Sequence, residues 1–195
     1  MMRIGLTGGM GSGKTTVSRW MKARGISVID VDALTREVHG RAEICAQLRA
    51  AFGDGIFEGD SGAMILSRKR LGEIAFCCEE NRERLNAIMH PALKRAAMEA
   101  LSTPRPVVLD APLLFEAGWE TLVDVVVVVM SAESARLERI AARDGLTREQ
   151  IRARFAGQIT DEERRRRADF LVYNVGDLSM LSRQVDHILN GLMPR

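Results

Sequence analysis

The chain has 195 residues, a length that suits one α/β core with small inserts. Hydrophobic residues make up 46% and charged residues 28%, enough for a sizeable buried core in a soluble chain. A net charge of +2 is too near balance to indicate nucleic acid as a partner, and none is expected. Cys45, Cys77 and Cys78 form no C-x-x-C pair, so neither a zinc site nor a disulfide framework is indicated, and a reduced, cytoplasmic setting is expected. Met1-Met2-Arg3 leads so quickly into a glycine-rich loop that no signal peptide is expected. The longest apolar run, Val125 to Met130, is far too short to span a membrane.

Arg3-Ile4-Gly5-Leu6-Thr7 reads as a short strand. It feeds Gly8-Gly9-Met10-Gly11-Ser12-Gly13-Lys14-Thr15, the P-loop pattern G-x-x-x-x-G-K-[ST], with Thr16 as a second hydroxyl. Glycines here let successive backbone N–H groups turn inward around a phosphate without Cβ clashes. Lys14 can reach the β- and γ-phosphates, and the Thr15 hydroxyl can ligate Mg²⁺. A helix is predicted over Lys14 to Arg24, with Val17, Trp20 and Met21 on one face and Gly25 as its stop. Its N-terminal dipole points at the same anion. Nucleotide binding is the primary expectation.

Ile26 to Ile29 reads as a second strand, ending at Asp30-Val31-Asp32. In open α/β sheets the ligand crevice lies beyond the C-terminal strand ends, where these carboxylates fall. Residues 30 and 32 share a face if the chain stays extended, although one of them suits an N-cap for the helix from Ala33. Residues 33 to 103 read as mostly helical, with turn clusters at Gly53 to Gly55 and Glu58 to Gly62. Helices are predicted over Ser67 to Phe76, Glu79 to Met89 and Pro91 to Leu101, the proline suiting a first turn. This inserted segment carries Arg36, Arg41, Arg68, Lys69, Arg70, His90 and Lys94, some of which are expected to bind an anionic second substrate.

Pro106 to Asp110 reads as a third core strand whose terminal acid suits a position near Mg²⁺. The apolar loop Ala111 to Glu116 follows. Val123 to Val129 is nearly continuous valine, as a strand buried on both faces of a parallel sheet requires. Helices are predicted over Ser134 to Asp144 and Arg148 to Gln158, joined at Gly145, with capping-box spacing from Thr147 to Gln150. Arg136, Arg139 and Arg143 are spaced i,i+3 and i,i+4 and are expected to point roughly the same way. Such a pair of arginine-bearing helices reads as a lid that closes on a triphosphate and excludes water. Arg164 to Arg167 reads mostly as a solvated face. Phe170 to Tyr173 is a fifth strand that leaves Asn174 at its end for the adenine, and Leu178 to Leu192 is a closing helix.

These stretches together resemble dephospho-coenzyme A kinases over nearly the whole chain. The resemblance rests on Leu6 to Thr16, Val28 to Asp32, Leu85 to Pro91, Asp110 to Glu116, Arg139 with Arg143, Gln158, and Ala168-Asp169 with Asn174 and Gly176. The resemblance implies a P-loop NTPase three-layer α/β fold: a five-stranded parallel sheet of nucleoside-monophosphate-kinase type, with a helical acceptor domain and a helical lid. The expected division is a core of residues 1–32, 105–133 and 164–195, an acceptor domain of 33–104 and a lid of 134–163. It further implies transfer of the γ-phosphoryl of ATP, with Mg²⁺, to the ribose 3′-hydroxyl of dephospho-coenzyme A. Asp32 would orient the acceptor hydroxyl as base, assisted by Lys14 and Arg139. Gly9, Gly11, Ser12, Gly13, Lys14, Thr15, Thr16, Arg139, Arg143 and Asn174 would hold ATP, with Thr15 and Asp110 serving the metal. Asp32, Arg36, Arg68, His90, Leu113 and Phe115 would meet the acceptor. No obligate protein partner is evident. The chain departs from the family's pattern at Arg136, where members often carry glutamine, and at Asp161. A GTPase switch would need an N-K-x-D stretch and a glycine three residues after Asp110, and the chain has neither. A nucleoside or nucleoside-monophosphate kinase is the nearer alternative.

Overall fold

A computed structural model describes residues 2–59 and 65–193. The turn expected over Glu58 to Gly62 therefore lies largely outside the described residues. The chain divides into two compact units, Met1–Val31 with Ala100–Arg195, and Asp32–Glu99.

In the first unit, β1 (Arg3–Gly8), β2 (Ser27–Asp30), β5 (Val107–Asp110), β6 (Val125–Met130) and β7 (Phe170–Tyr173) form one parallel sheet in the order β2-β5-β1-β6-β7. The central strand β1 pairs Arg3 with Val107 on one side and Ile4 with Val125 on the other. On one face, Ile4, Leu6, Val108, Val127, Val129 and Val172 pack against α1 (Lys14–Ala23) through Val17 and Met21. α9 (Leu178–Leu192) joins the same cluster through Leu181, Val185, Ile188 and Leu189. Each aliphatic side chain buried this way contributes about 1.5–3 kcal/mol. The helix α1 stops at Gly25, whose φ of 82° ends the helical path at little steric cost. On the other face, Gly5 lets Leu114 and Val123 approach the backbone closely; a Cβ there would stand 3.0 Å from each. α6 (Glu133–Asp144) and α7 (Arg148–Ala156) pack together through Leu137, Ile140 and Ile151, and α7 begins with the expected capping box. α8 (Asp161–Arg167) leads into β7. The segment 134–163 lies within this first unit.

The second unit contains α2 (Val31–His39) from Asp32 onward, α3 (Ala42–Phe52), β3 (Phe57–Glu58) paired antiparallel with β4 (Ile65–Leu66), and α4 (Arg68–Ala75). Most of α5 (Glu79–Leu101) also belongs to it. Two sequence expectations are corrected here. α5 is one helix with Pro91 inside it, rather than two helices meeting at the proline. The missing N–H of Pro91 costs the helix about 3 kcal/mol. Burial of Met89, Ala92, Leu93, Ala96, Ala97 and Leu101 on one continuing stripe offsets that loss. The second correction is at Asp32. The chain is already helical at Val31, so the two-residue alternation from Asp30 does not extend to Asp32.

His39 closes α2 and is half-buried. Burial pushes its imidazole pKa below the usual value, and nearby Arg68 lowers it further. The unfolded chain therefore takes up a proton that the folded chain resists, and stability falls as pH drops below about 6.5, the unfolded value. His39→Gln is expected to flatten the decline in unfolding free energy between about pH 7 and pH 5. Urea unfolding across that window checks it, and an unchanged slope would contradict the assignment.

Candidate active site

The sequence Gly8 to Thr15 folds as a loop between β1 and α1 because its glycines occupy places closed to other residues. Gly11 and Gly13 have φ of 77° and 97°, in the left-handed region that strains any residue with a Cβ. A Cβ on Gly13 would collide with Asn174 Nδ2, and one on Gly9 with Arg136 Nη1. The loop is closed by Ser12 N–H donating to the Gly9 carbonyl at 3.0 Å and Thr16 N–H to the Gly13 carbonyl at 2.9 Å. The Ser12 hydroxyl is buried with no hydrogen-bond partner among the described residues. Lys14 and Thr15 open α1, with Thr15 exposed.

Three long-range contacts fix the second half of this loop. Lys14 Nζ forms an ion pair with Asp110 at the end of β5, where Asp110 is 7% exposed. Asp110 lies in register with Leu6 on one side and Asp30 on the other, so both acids end neighbouring strands. Asn174, just past β7, donates from Nδ2 to the Ser12 carbonyl at 2.9 Å. Arg139 of α6 donates from Nη1 to the Gly11 carbonyl and to Ser131 Oγ, each at 3.0 Å. Met130, Ser131, Arg139, Asn174 and Gly176 line a cavity of about 530 Å³ next to the loop.

The three arginines of α6 do not converge as expected. Arg139 meets the loop. Arg136 is buried and pairs with Asp161 of α8. Arg143 is exposed and grips Asp144 through Nε and Nη2 at 2.7 and 2.8 Å, a contact that raises its pKa. Helical spacing places Cβ atoms on one face, but each guanidinium travels to its own acceptor.

Of the residues expected to meet a second substrate, Asp32 and Arg36 occupy the first and last turns of α2, and both are exposed. Arg68 opens α4, and His90 is exposed on α5. Leu113 is exposed on the loop after β5. Phe115 is buried, with the Arg167 guanidinium 4.4 Å from its ring centroid.

A buried polar cluster lies against the loop's first half, and sequence reasoning alone does not anticipate it. Within the run Arg164 to Arg167, Arg165 and Arg166 are exposed, but Arg164 is 2% exposed and donates to Asp161 and to Gln158. Gln158 Oε1 also accepts the Met10 N–H at 3.2 Å. The one signal available was spacing: Asp161 lies three residues before Arg164 on a helix, within ion-pair reach.

A family model described as dephospho-CoA kinase matches residues 2–179. A dephospho-CoA kinase of Deinococcus radiodurans is 44% identical, over 97% of this chain and 92% of that protein. One of Geobacillus kaustophilus is 43% identical, over 96% of this chain and 95% of that one. A solved Thermus thermophilus structure superposes with a TM-score of 0.82 at 35% identity, covering 98% of both chains.

Proposed function

This chain belongs to the dephospho-CoA kinase family, and on that premise we propose that it transfers the γ-phosphoryl group of ATP to the ribose 3′-hydroxyl of dephospho-coenzyme A, the last step of coenzyme A synthesis. The observation that carries the reading is the convergence on one glycine loop of Lys14 with Asp110, Arg139 and Asn174, all from the C-terminal ends of adjacent parallel strands or the segments just beyond them. The loop N–H groups and Lys14 hold the phosphates, and Arg139 adds positive charge against the negative charge of the transferring phosphoryl and leaving phosphate oxygens. The cavity beside Asn174 takes the adenine. Asp32 accepts the proton of the acceptor hydroxyl and aligns its oxygen, while Arg36, Arg68, His90, Leu113 and Phe115 bind the acceptor.

The Thr15 hydroxyl and the Asp110 carboxylate are hard oxygen donors that fit Mg²⁺, which takes one or two protein ligands and completes its shell from phosphates and water. No cluster of three or more metal-ligating side chains occurs among the described residues, as suits an ion that arrives with the nucleotide. Bound in this way, Mg²⁺ neutralises phosphate charge. No helix among the described residues is long and apolar enough to cross a membrane.

The acceptor is tested with ATP and a panel of dephospho-coenzyme A, AMP, CMP and uridine, followed by coupled ADP release. Turnover with dephospho-coenzyme A far above the other three is expected. Preference for a nucleoside or nucleoside monophosphate would move the chain to the nearer alternative.

The hairpin of α6 and α7 acts as a lid. Its apolar cluster also takes in Met10 of the phosphate loop, so loop and hairpin share packing. Hydrogen exchange over Glu133 to Ala156 is expected to slow when ATP binds. Protection confined to residues 8–16 would leave the hairpin a static part of the core.

A further inference from the structure

Two arginines lie almost wholly buried beside the phosphate loop, on the side of Gly9 and Met10. Arg136 of α6 is 6% exposed and Arg164 of α8 is 2% exposed. They share one carboxylate: Arg136 Nη1 donates to both oxygens of Asp161 at 2.8 and 2.9 Å, and Arg164 Nη1 to Oδ1 at 3.0 Å. The Arg136 guanidinium lies 4.5 Å from the Phe155 ring centroid and pairs with Asp161, and its Nε is buried with no hydrogen-bond partner among the described residues. Arg164 Nη2 also lies 3.6 Å from Glu116 Oε1, so the two buried cations sit against two carboxylates, and neither can leave without stranding charge. Both press on the loop. Arg136 Nη1 occupies the space a Gly9 side chain would need, and Arg164 Nη1 would stand 3.3 Å from it. Arg164 Nη2 also donates to Gln158 Oε1 at 3.3 Å, the oxygen that takes the Met10 N–H.

We propose that Arg136, fixed by Asp161 and Arg164, is a positioning residue for the phosphate loop: it sets the path of Gly9 and Met10 and thereby the affinity for nucleotide. The proposal rests on the kinase reading and adds to it residues that no part of that reading uses. The loop's second half is already held by Asn174 and Arg139. Its first half has this cluster in their place. A loop free to vary there would have to be ordered by each nucleotide that binds, which lowers affinity without altering the transfer step.

The test is Asp161→Asn, which keeps the volume and removes the shared charge. Affinity for MgADP, measured by calorimetry without any acceptor, is expected to fall about tenfold, with a matching rise in KM for ATP. Asp161 also lines the cavity beside Asn174, so a second variant separates position from direct contact. Arg136→Lys lies outside that lining and keeps a charge for Asp161, but loses the planar fork against Gly9 and the stack on Phe155. Its MgADP affinity is expected to fall about fivefold in a folded protein. Wild-type affinity in Arg136→Lys, or a loss of thermal stability with unchanged affinity, overturns the proposal, and this variant decides alone should Asp161→Asn not fold. Because MgADP binding needs no acceptor, a wild-type protein inactive toward dephospho-coenzyme A would overturn the kinase assignment and leave this result standing.

Discussion

Lys14→Ala is expected to lower turnover by about three orders of magnitude, the loss associated with removing one charge-stabilising group aimed at the reacting centre. Lys14 opens α1 directly after the glycine loop, so its ammonium ion stands at the helix N-terminus. The structure adds a complication, since Lys14 is also the ion-pair partner of Asp110, whose side chain is 10% exposed. Removing the lysine alone strands a buried carboxylate, a change that costs about 3–5 kcal/mol. A loss of activity in the single variant could therefore reflect a weakened fold. The double variant Lys14→Ala/Asp110→Asn separates the causes, because the amide needs no cation. Thermal unfolding of the double variant should recover most of the lost midpoint, while ADP release stays near background. Wild-type turnover in folded Lys14→Ala would remove the lysine from the chemistry. Recovery of turnover in the double variant would make its role that of a counter-ion to Asp110.

Asp32→Asn is expected to lower turnover by about two to four orders of magnitude with nucleotide affinity nearly unchanged, the signature of a lost base or orienting carboxylate. Transfer to a hydroxyl requires a group that accepts its proton and aligns the oxygen with the γ-phosphorus. Asp30 is the competing residue. It is the last residue of β2 and lies in strand register with Asp110, whereas Asp32 sits in the first turn of α2; both are exposed. Asparagine keeps the size and one hydrogen-bonding oxygen, so a large effect reports charge rather than packing. The decisive measurement pairs steady-state turnover with MgADP calorimetry. Near-normal turnover, or loss of nucleotide binding as severe as in Lys14→Ala, would return Asp30 to consideration.

What the sequence disclosed follows a physical division. The sheet was legible because its signals are local and redundant: six consecutive residues of β6 can only be satisfied on a doubly covered strand, and the glycines at 11 and 13 mark backbone that other residues avoid. α5 was misread at Pro91, since a proline is a strong local stop while the buried stripe that overrides it spans the whole helix. β3 and β4 have two residues each, too few to show alternation. The site divided in the same way. Lys14 and Asp110 were each singled out, but their pairing crosses the sheet and leaves no trace in spacing. The ion pair between Arg136 and Asp161 joins residues 25 apart on two helices, so the i,i+3 spacing to Arg139 points Arg136 in a direction that its real partner overrules.

The central place of β1 has a consequence for the growing polypeptide on the ribosome. β1 is made before the two strands it pairs with, β5 and β6, which begin at Val107 and Val125. At a synthesis rate of about 5–20 residues per second, Ile4 and Leu6 wait on the order of 5–20 seconds before any strand can cover them. Closing so long a loop carries an entropy cost that only grows logarithmically, so the delay is one of supply more than of search. During that interval the nascent chain presents an unpaired apolar edge at β1, the stretch where a chaperone that shields apolar segments is expected to engage.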